Sequence, residues 1–151
     1  MRRLRLLLIA VAVIVFVLIS ALLARAFSID GAEQGAITRL VQDEARGDSA
    51  AMTKLILHCA RSGSCRSRAR ADAHALRRPG RVSILELNPS AGFSLTSTLG
   101  VARVAWRAGS SLPVTQCVLV RHAGNVISGL SVQLLEISRR IGTGSDCPPQ
   151  F

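Results

Sequence analysis

The stretch FSLTSTLGVARVAWRAGSSLPVTQCVLVRH, residues 93–122, decides the fold. Side chains alternate along its middle: Val101, Arg103, Ala105 and Arg107 face one way, Ala102, Val104 and Trp106 the other. A period of two belongs to a half-buried strand. SSLP (110–113) then turns the chain into a second run, VTQCVLVRH (114–122), so the whole reads as an antiparallel hairpin. Gly100, inside the first run, is expected to mark a bulge or bend that curves the sheet.

Working outward, RVSILELN (81–88) adds a strand before this hairpin and ends at NPSAG. HAGN (122–125) turns the chain into a fourth strand, VISGLSVQLLEISRRI (126–141), completing a four-stranded antiparallel meander. In the fourth strand Val126, Leu130, Val132 and Leu134 oppose Ile127, Leu135 and Ile137, so it is apolar on both faces toward its end. One sheet face meets helices; the other lines a concavity or meets a second subunit, since a broad apolar face left wet usually marks an interface.

Upstream the period becomes helical. Ile37, Leu40, Val41 and Ala45 predict a helix from Ala32 to Arg46, opened by a capping box of Asp30 and Glu33. Gly47 suits the left-handed residue that ends it, and Asp48 caps a second helix with the stripe Ala51, Met52, Leu55, Ile56 and Cys59. Arg46-Gly47-Asp48 is thus read as stop and cap, not as an adhesion motif. A third helix is expected from Ser67 to Arg78, stopped by Pro79-Gly80, with Ala69, Ala73 and Leu76 as its apolar stripe. Arg66, Arg70, His74 and Arg77 share its other face. They are the candidate contact for an anionic membrane surface or partner, weighed against a solvated helix face.

The chain opens MRRLRLLLIAVAVIVFVLISALLARAF (1–27). Arg2, Arg3 and Arg5 precede an apolar run from Leu6 to Ala24 broken only by Ser20. As a helix that run is about 28 Å long, close to the hydrocarbon thickness of a bilayer. It reads as a single-pass transmembrane anchor with the N-terminus cytoplasmic. Ala24-Arg25-Ala26 also fits a signal-peptide cleavage pattern, so secretion after cleavage near Ala26 is the alternative. Both readings export everything after Phe27. The expected organisation is a cytoplasmic tip and anchor (1–26), a linker (27–31), an extracytoplasmic α+β domain (32–142) and an irregular tail (143–151).

The 151 residues carry 19 basic and 9 acidic side chains, net +10, with Lys54 the only lysine. Without Arg2, Arg3, Arg5 and Arg25 the count is 15 basic against 9 acidic, about +6, an exterior that favours anionic partners or simply keeps the domain soluble. With no tyrosine, one tryptophan and four phenylalanines, platforms for stacking nucleobases are essentially missing, which argues against a nucleic-acid binder. In the sheet region Glu86, Glu136 and His122 are the only catalytic candidates. His122 is placed in or beside the HAGN turn as a solvated residue, and the glutamates near strand ends, pairing with Arg81 or Arg139. No Ser-His-Asp order, glycine-rich phosphate loop or carboxylate pair stands out, so no catalytic residue and no cofactor are expected.

HCARSGSCR (58–66) admits three chemistries. A metal site would take His58, Cys59, Cys65 and His74, but zinc cysteines usually sit closer together, so no metal is expected. A redox pair would be Cys-x-x-Cys at a helix start. A disulfide suits an even cysteine count outside the cytoplasm. The favoured pairing joins Cys59 to Cys65 across ARSGS and Cys117 to Cys147, pinning the tail to the third strand; crossed pairings stay open.

The order of elements, carried by QDEARGDSAAMTKLI (42–56) and the strand series from Arg81, resembles the nuclear-transport-factor-2-like (cystatin-like) superfamily, in particular its small membrane-anchored or exported bacterial members. That resemblance implies a curved, cone-like sheet wrapped around a helix. Its members include enzymes, small-ligand binders and modules of envelope assemblies, so fold alone selects none. The expected function is a non-catalytic interaction module, pairing through its sheet as a homodimer or with an envelope protein. Binding of a small apolar ligand or lipid in the cone is the alternative, and an enzyme the third. A filled apolar interior favours the module; buried ionisable pairs favour the enzyme.

Overall fold

The structure, a computed structural model, describes residues 2–90, 98–125 and 129–149, with side chains from Leu8 onward apart from positions 22, 24–30, 125, 129 and 130. It is an α+β chain. Helix α1 (Arg2–Arg46) is followed by α2 (Ser49–Leu55), a 3-10 turn (Cys59–Arg61) and α3 (Gly63–Ala75). Strands β1 (Val82–Asn88), β2 (Thr98–Ala108), β3 (Val114–Asn125) and β4 (Gly129–Ile137) complete it.

The apolar run and the first domain helix are one element. No proline interrupts residues 2–46, and neither Gly31 nor Gly35 takes a positive φ, so the helix propagates through both. Each glycine costs about 1 kcal/mol relative to alanine, too little to end a helix already nucleated on both sides. The expected linker at 27–31 is therefore helical, and Asp30 lies inside α1 instead of capping it. Among the described residues no helix is long and apolar enough to cross a membrane. The run's continuously described side chains, Leu8–Ala21, extend about 21 Å.

Gly47 ends α1 at φ 79°, and the Asp48 carboxylate caps α2 by accepting from the Ala51 N–H at 2.9 Å. The second helix is shorter than its stripe suggests. It stops at Leu55 because Ile56 pairs in parallel with Leu134 and the Leu57 N–H donates to the Leu134 carbonyl at 2.7 Å. The chain then reverses through His58, a left-handed residue at φ 59°. The third helix begins and ends earlier than expected, at Gly63 and Ala75, with Ser62 Oγ accepting from the Cys65 N–H.

The sheet is an antiparallel meander in the order β1-β2-β3-β4. Its inner face carries Ala102, Val104, Trp106 and Ala108 of β2, Val114, Gln116, Val118 and Val120 of β3, and Leu134 and Ile137 of β4. Against it lie Ile37, Leu40 and Val41 of α1, and Met52 of α2 and Ala69 and Ala73 of α3 extend the same core cluster where those helices pack on α1. Each large side chain among them contributes roughly 1.5–3 kcal/mol of burial. Bulges fall at Leu85 of β1 and Leu135 of β4, where the register shifts, and not at Gly100. The β4 bulge explains why Leu134 and Ile137, of opposite parity, both point inward. Gly100 pairs regularly with Val120. Its missing side chain leaves room for Ser90: a β-carbon there would stand 2.5 Å from Ser90 Cβ. The fourth strand's Val126 and Ile127 lie outside the described residues.

Disulfides join Cys59 to Cys65 and Cys117 to Cys147. The second closes the irregular tail over the outer face of β3, where Ile141 also bridges to Thr115.

Candidate functional site

Polar side chains enter the core at two levels along α1. Glu33 lies four residues before Ile37, and Glu44 three after Val41, so both fall in phase with the apolar stripe and are carried inward. Both are fully buried.

The first level holds Glu33, Ser90 and His122. Glu33 Oε1 accepts from the Ser90 N–H at 2.8 Å, and Oε2 accepts from Ser90 Oγ at 3.0 Å. His122 Nε2 lies 2.7 Å from the same Oε2, which places the imidazole proton on Nε2. The His122 side chain is 12% exposed. It sits in β3, which runs to Asn125, and not in a solvated turn. The carboxylate thus holds the ring in one tautomer and orientation.

The second level, nearer the far end of α1, is a hydrogen-bonded chain. Trp106 Nε1–H donates to Gln116 Oε1 at 2.9 Å, and Gln116 Nε2–H donates to Glu44 Oε1 at 2.8 Å and to the Ser138 carbonyl at 3.2 Å. Glu44 Oε2 and Asp72 Oδ2 are buried without a hydrogen-bond partner among the described residues. Burial pushes the Glu44 carboxyl up to about 8, against the Gln116 hydrogen bond and with help from the negative charge of Asp72. Burial also raises Asp72, to about 6, opposed by Arg68 and Arg139. At neutral pH Glu44 carries its proton, which removes the like-charge clash with Asp72.

The other sequence-derived candidates stay apart from these levels. Cys59 and Cys65 are spent on each other, so they cannot ligate a metal with His58 and His74. Among the described residues no three His, Cys, Asp or Glu side chains gather in a way that could hold a metal ion. Arg66, Arg70 and His74 are exposed along α3, where Arg66 Nη1 donates to the Ala60 carbonyl at 2.6 Å. Arg77 lies beyond the helix end, its aliphatic stem against Gly47. Glu86 pairs with Arg103 across the strands at 3.5 Å, not with Arg81 or Arg139. The Arg103 guanidinium also donates to the Thr143 carbonyl, tying down the tail.

Sequence reasoning passed over Glu33, Glu44, Asp72, Ser90 and Gln116 as core residues. The available signal was phase: Glu33 and Glu44 continue the α1 stripe, and Asp72 falls between Ala69 and Ala73 on the α3 stripe. Ser90 and Gln116 give no such signal alone. Comparison of the chain with family models, with curated proteins and with solved structures finds no match.

Proposed function

We propose that this chain is a single-pass, membrane-anchored, extracytoplasmic interaction module without catalysis. The observation that carries it is the α1 rod. Leu8, Ile9, Val11, Val13, Ile14, Val15, Phe16, Val17, Leu18 and Ile19 are all exposed, from 48% to 71%, so the rod is apolar on every side and none of the described residues covers it. A helix apolar all round belongs inside lipid or another protein. Arg2, Arg3 and Arg5 before it favour a cytoplasmic N-terminus, and two disulfides favour an oxidising compartment beyond it. The meander with helices on one face supports the cone-like, nuclear-transport-factor-2-like architecture. The partner surface in this reading is the outer sheet face, where Leu85, Leu99 and Val101 stand exposed.

Alkaline carbonate extraction tests the anchor: the full chain stays in the membrane pellet, and release into the supernatant refutes it. A photo-crosslinking residue at Val101 tests the face. It yields one discrete adduct, of a second copy or another protein, absent when the crosslinker is at Arg70; equal adducts from both sites count against the face.

A second reading is favoured by the buried Glu33–His122 pair with Ser90, an arrangement suited to acid–base chemistry. It places His122 as base and Glu33 as its positioning residue. Modification of His122 by diethyl pyrocarbonate that proceeds only in the unfolded chain would remove this reading, because a ring closed to the reagent cannot meet a substrate.

A further inference from the structure

The end of the domain where α1 stops is ringed by arginines. The Arg78 N–H donates to the Ala45 carbonyl, which brings the segment after α3 onto the last turn of α1. The Arg77 stem packs at Gly47. The Gly109 N–H donates to the Arg81 carbonyl, and Arg107 pairs with Ser83 in the register, so the β2–β3 turn joins the same end. Arg140 Nη2 donates to the Pro113 carbonyl from the far side of that turn. Six arginines, 46, 77, 78, 81, 107 and 140, therefore share one end with four acids: Asp43, Asp48 and the buried Glu44 and Asp72. Asp43 pairs with Arg46, and Asp48 is occupied as the α2 cap. Arg77, Arg81 and Arg107 are exposed and have no hydrogen-bond or ion-pair partner for their guanidinium groups among the described residues.

The chemistry of this end narrows its partner. Guanidinium forks match phosphate oxygens two at a time. A protein interface would offer an apolar or aromatic centre, yet among the described residues only Leu112 is a large exposed hydrophobic here. Nucleic acid would want stacking surfaces, and Trp106 is fully buried. The domain's own bilayer is out of reach on the anchored reading, on which this step rests. From the end of the apolar run at Ala24 to Arg46 is about 33 Å along an unbroken helix. That is several Debye lengths at physiological salt.

We infer that this arginine end binds a flexible polymer carrying repeated phosphate groups and no bases, lying away from the membrane surface. The test uses the full chain in zwitterionic micelles with fluorescent long-chain inorganic polyphosphate. Binding is expected to weaken with salt along a log–log slope of roughly −3, on the order of one counterion released per arginine engaged. The triple variant Arg77→Gln/Arg81→Gln/Arg107→Gln should bind at least about tenfold more weakly with a slope near zero, while Arg66→Gln/Arg70→Gln binds as the parent does. Single Arg81→Gln keeps the test available if the triple variant melts early, and should show about a third of the slope loss. Unchanged binding by the triple or the Arg81 variant overturns the inference. So does equal affinity for polyglutamate, which would point to an acidic protein. In neutral vesicles, added phosphatidylglycerol should leave polyphosphate binding unchanged at physiological salt; strong competition would place the arginines on the bilayer and overturn it. Carbonate release judges the anchor separately and leaves the micelle result standing.

Discussion

Ser90 occupies the space that a side chain at position 100 would need. Alanine at 100 must push Ser90 away and so break both of its hydrogen bonds to Glu33, one of them from a buried backbone amide. Gly100→Ala is expected to lower stability by about 2–4 kcal/mol, read by urea unfolding. Gly100→Ala/Ser90→Gly should recover part of that loss, and a double variant as weak as the sum of its singles would reject this coupling. Glu44 gives a pH signature. Its folded value of about 8, and that of Asp72 near 6, lie above the ordinary 4.5 and 3.8, so the native state holds protons that the unfolded chain releases. Their stabilisation is complete below about pH 4 and is lost as pH rises through 6 and then 8. The melting temperature of the full chain should fall across that range, the upper step being on the order of a few kcal/mol. Glu44→Gln, neutral at every pH, should flatten the upper step; an equally steep fall in that variant would rule out Glu44 as its source. Glu33 and Glu44 were readable from their helical phase, but a carboxylate near a helix start reads equally well as a cap. Only the arrival of Ser90 and His122 from distant segments distinguishes the two.

At the level of elements, the strands were legible and the helix ends less so. The alternation of Val101 to Arg107 survives in the structure because one sheet face is packed, and a slip of one residue would turn Trp106 into water. The end of α2 was not legible, because Ile56 leaves the helix to pair with Leu134, which lies far along the chain. Nor was the continuity of α1: Asp30 and Glu33 make a local capping signature, and a helix growing from both sides overrides it. The tail has no regular structure of its own and depends on its bonds to β3. Replacing Cys117 and Cys147 together by alanine should cost about 3–4 kcal/mol by loop-closure entropy, a drop of roughly 10–15 °C in Tm. Limited trypsin digestion should then cut early after Arg139 or Arg140. An unchanged digestion pattern would mean that the Arg103–Thr143 contact holds the tail without the disulfide.

Over the whole molecule, α1 is both the exposed apolar rod and the helix that packs across the sheet. Because no loop separates these roles, domain and rod share one rotational phase. Removing a single residue between Ala26 and Gly31 would shorten the rod by about 1.5 Å and swing the sheet by about 100° around it. Removing all four would shorten it by about 6 Å yet bring the sheet back to within about 40° of its first bearing. The rod therefore works as a vernier. The direction in which the arginine end and the sheet face look depends on how many residues the chain counts between its apolar run and its core, and not only on which residues they are.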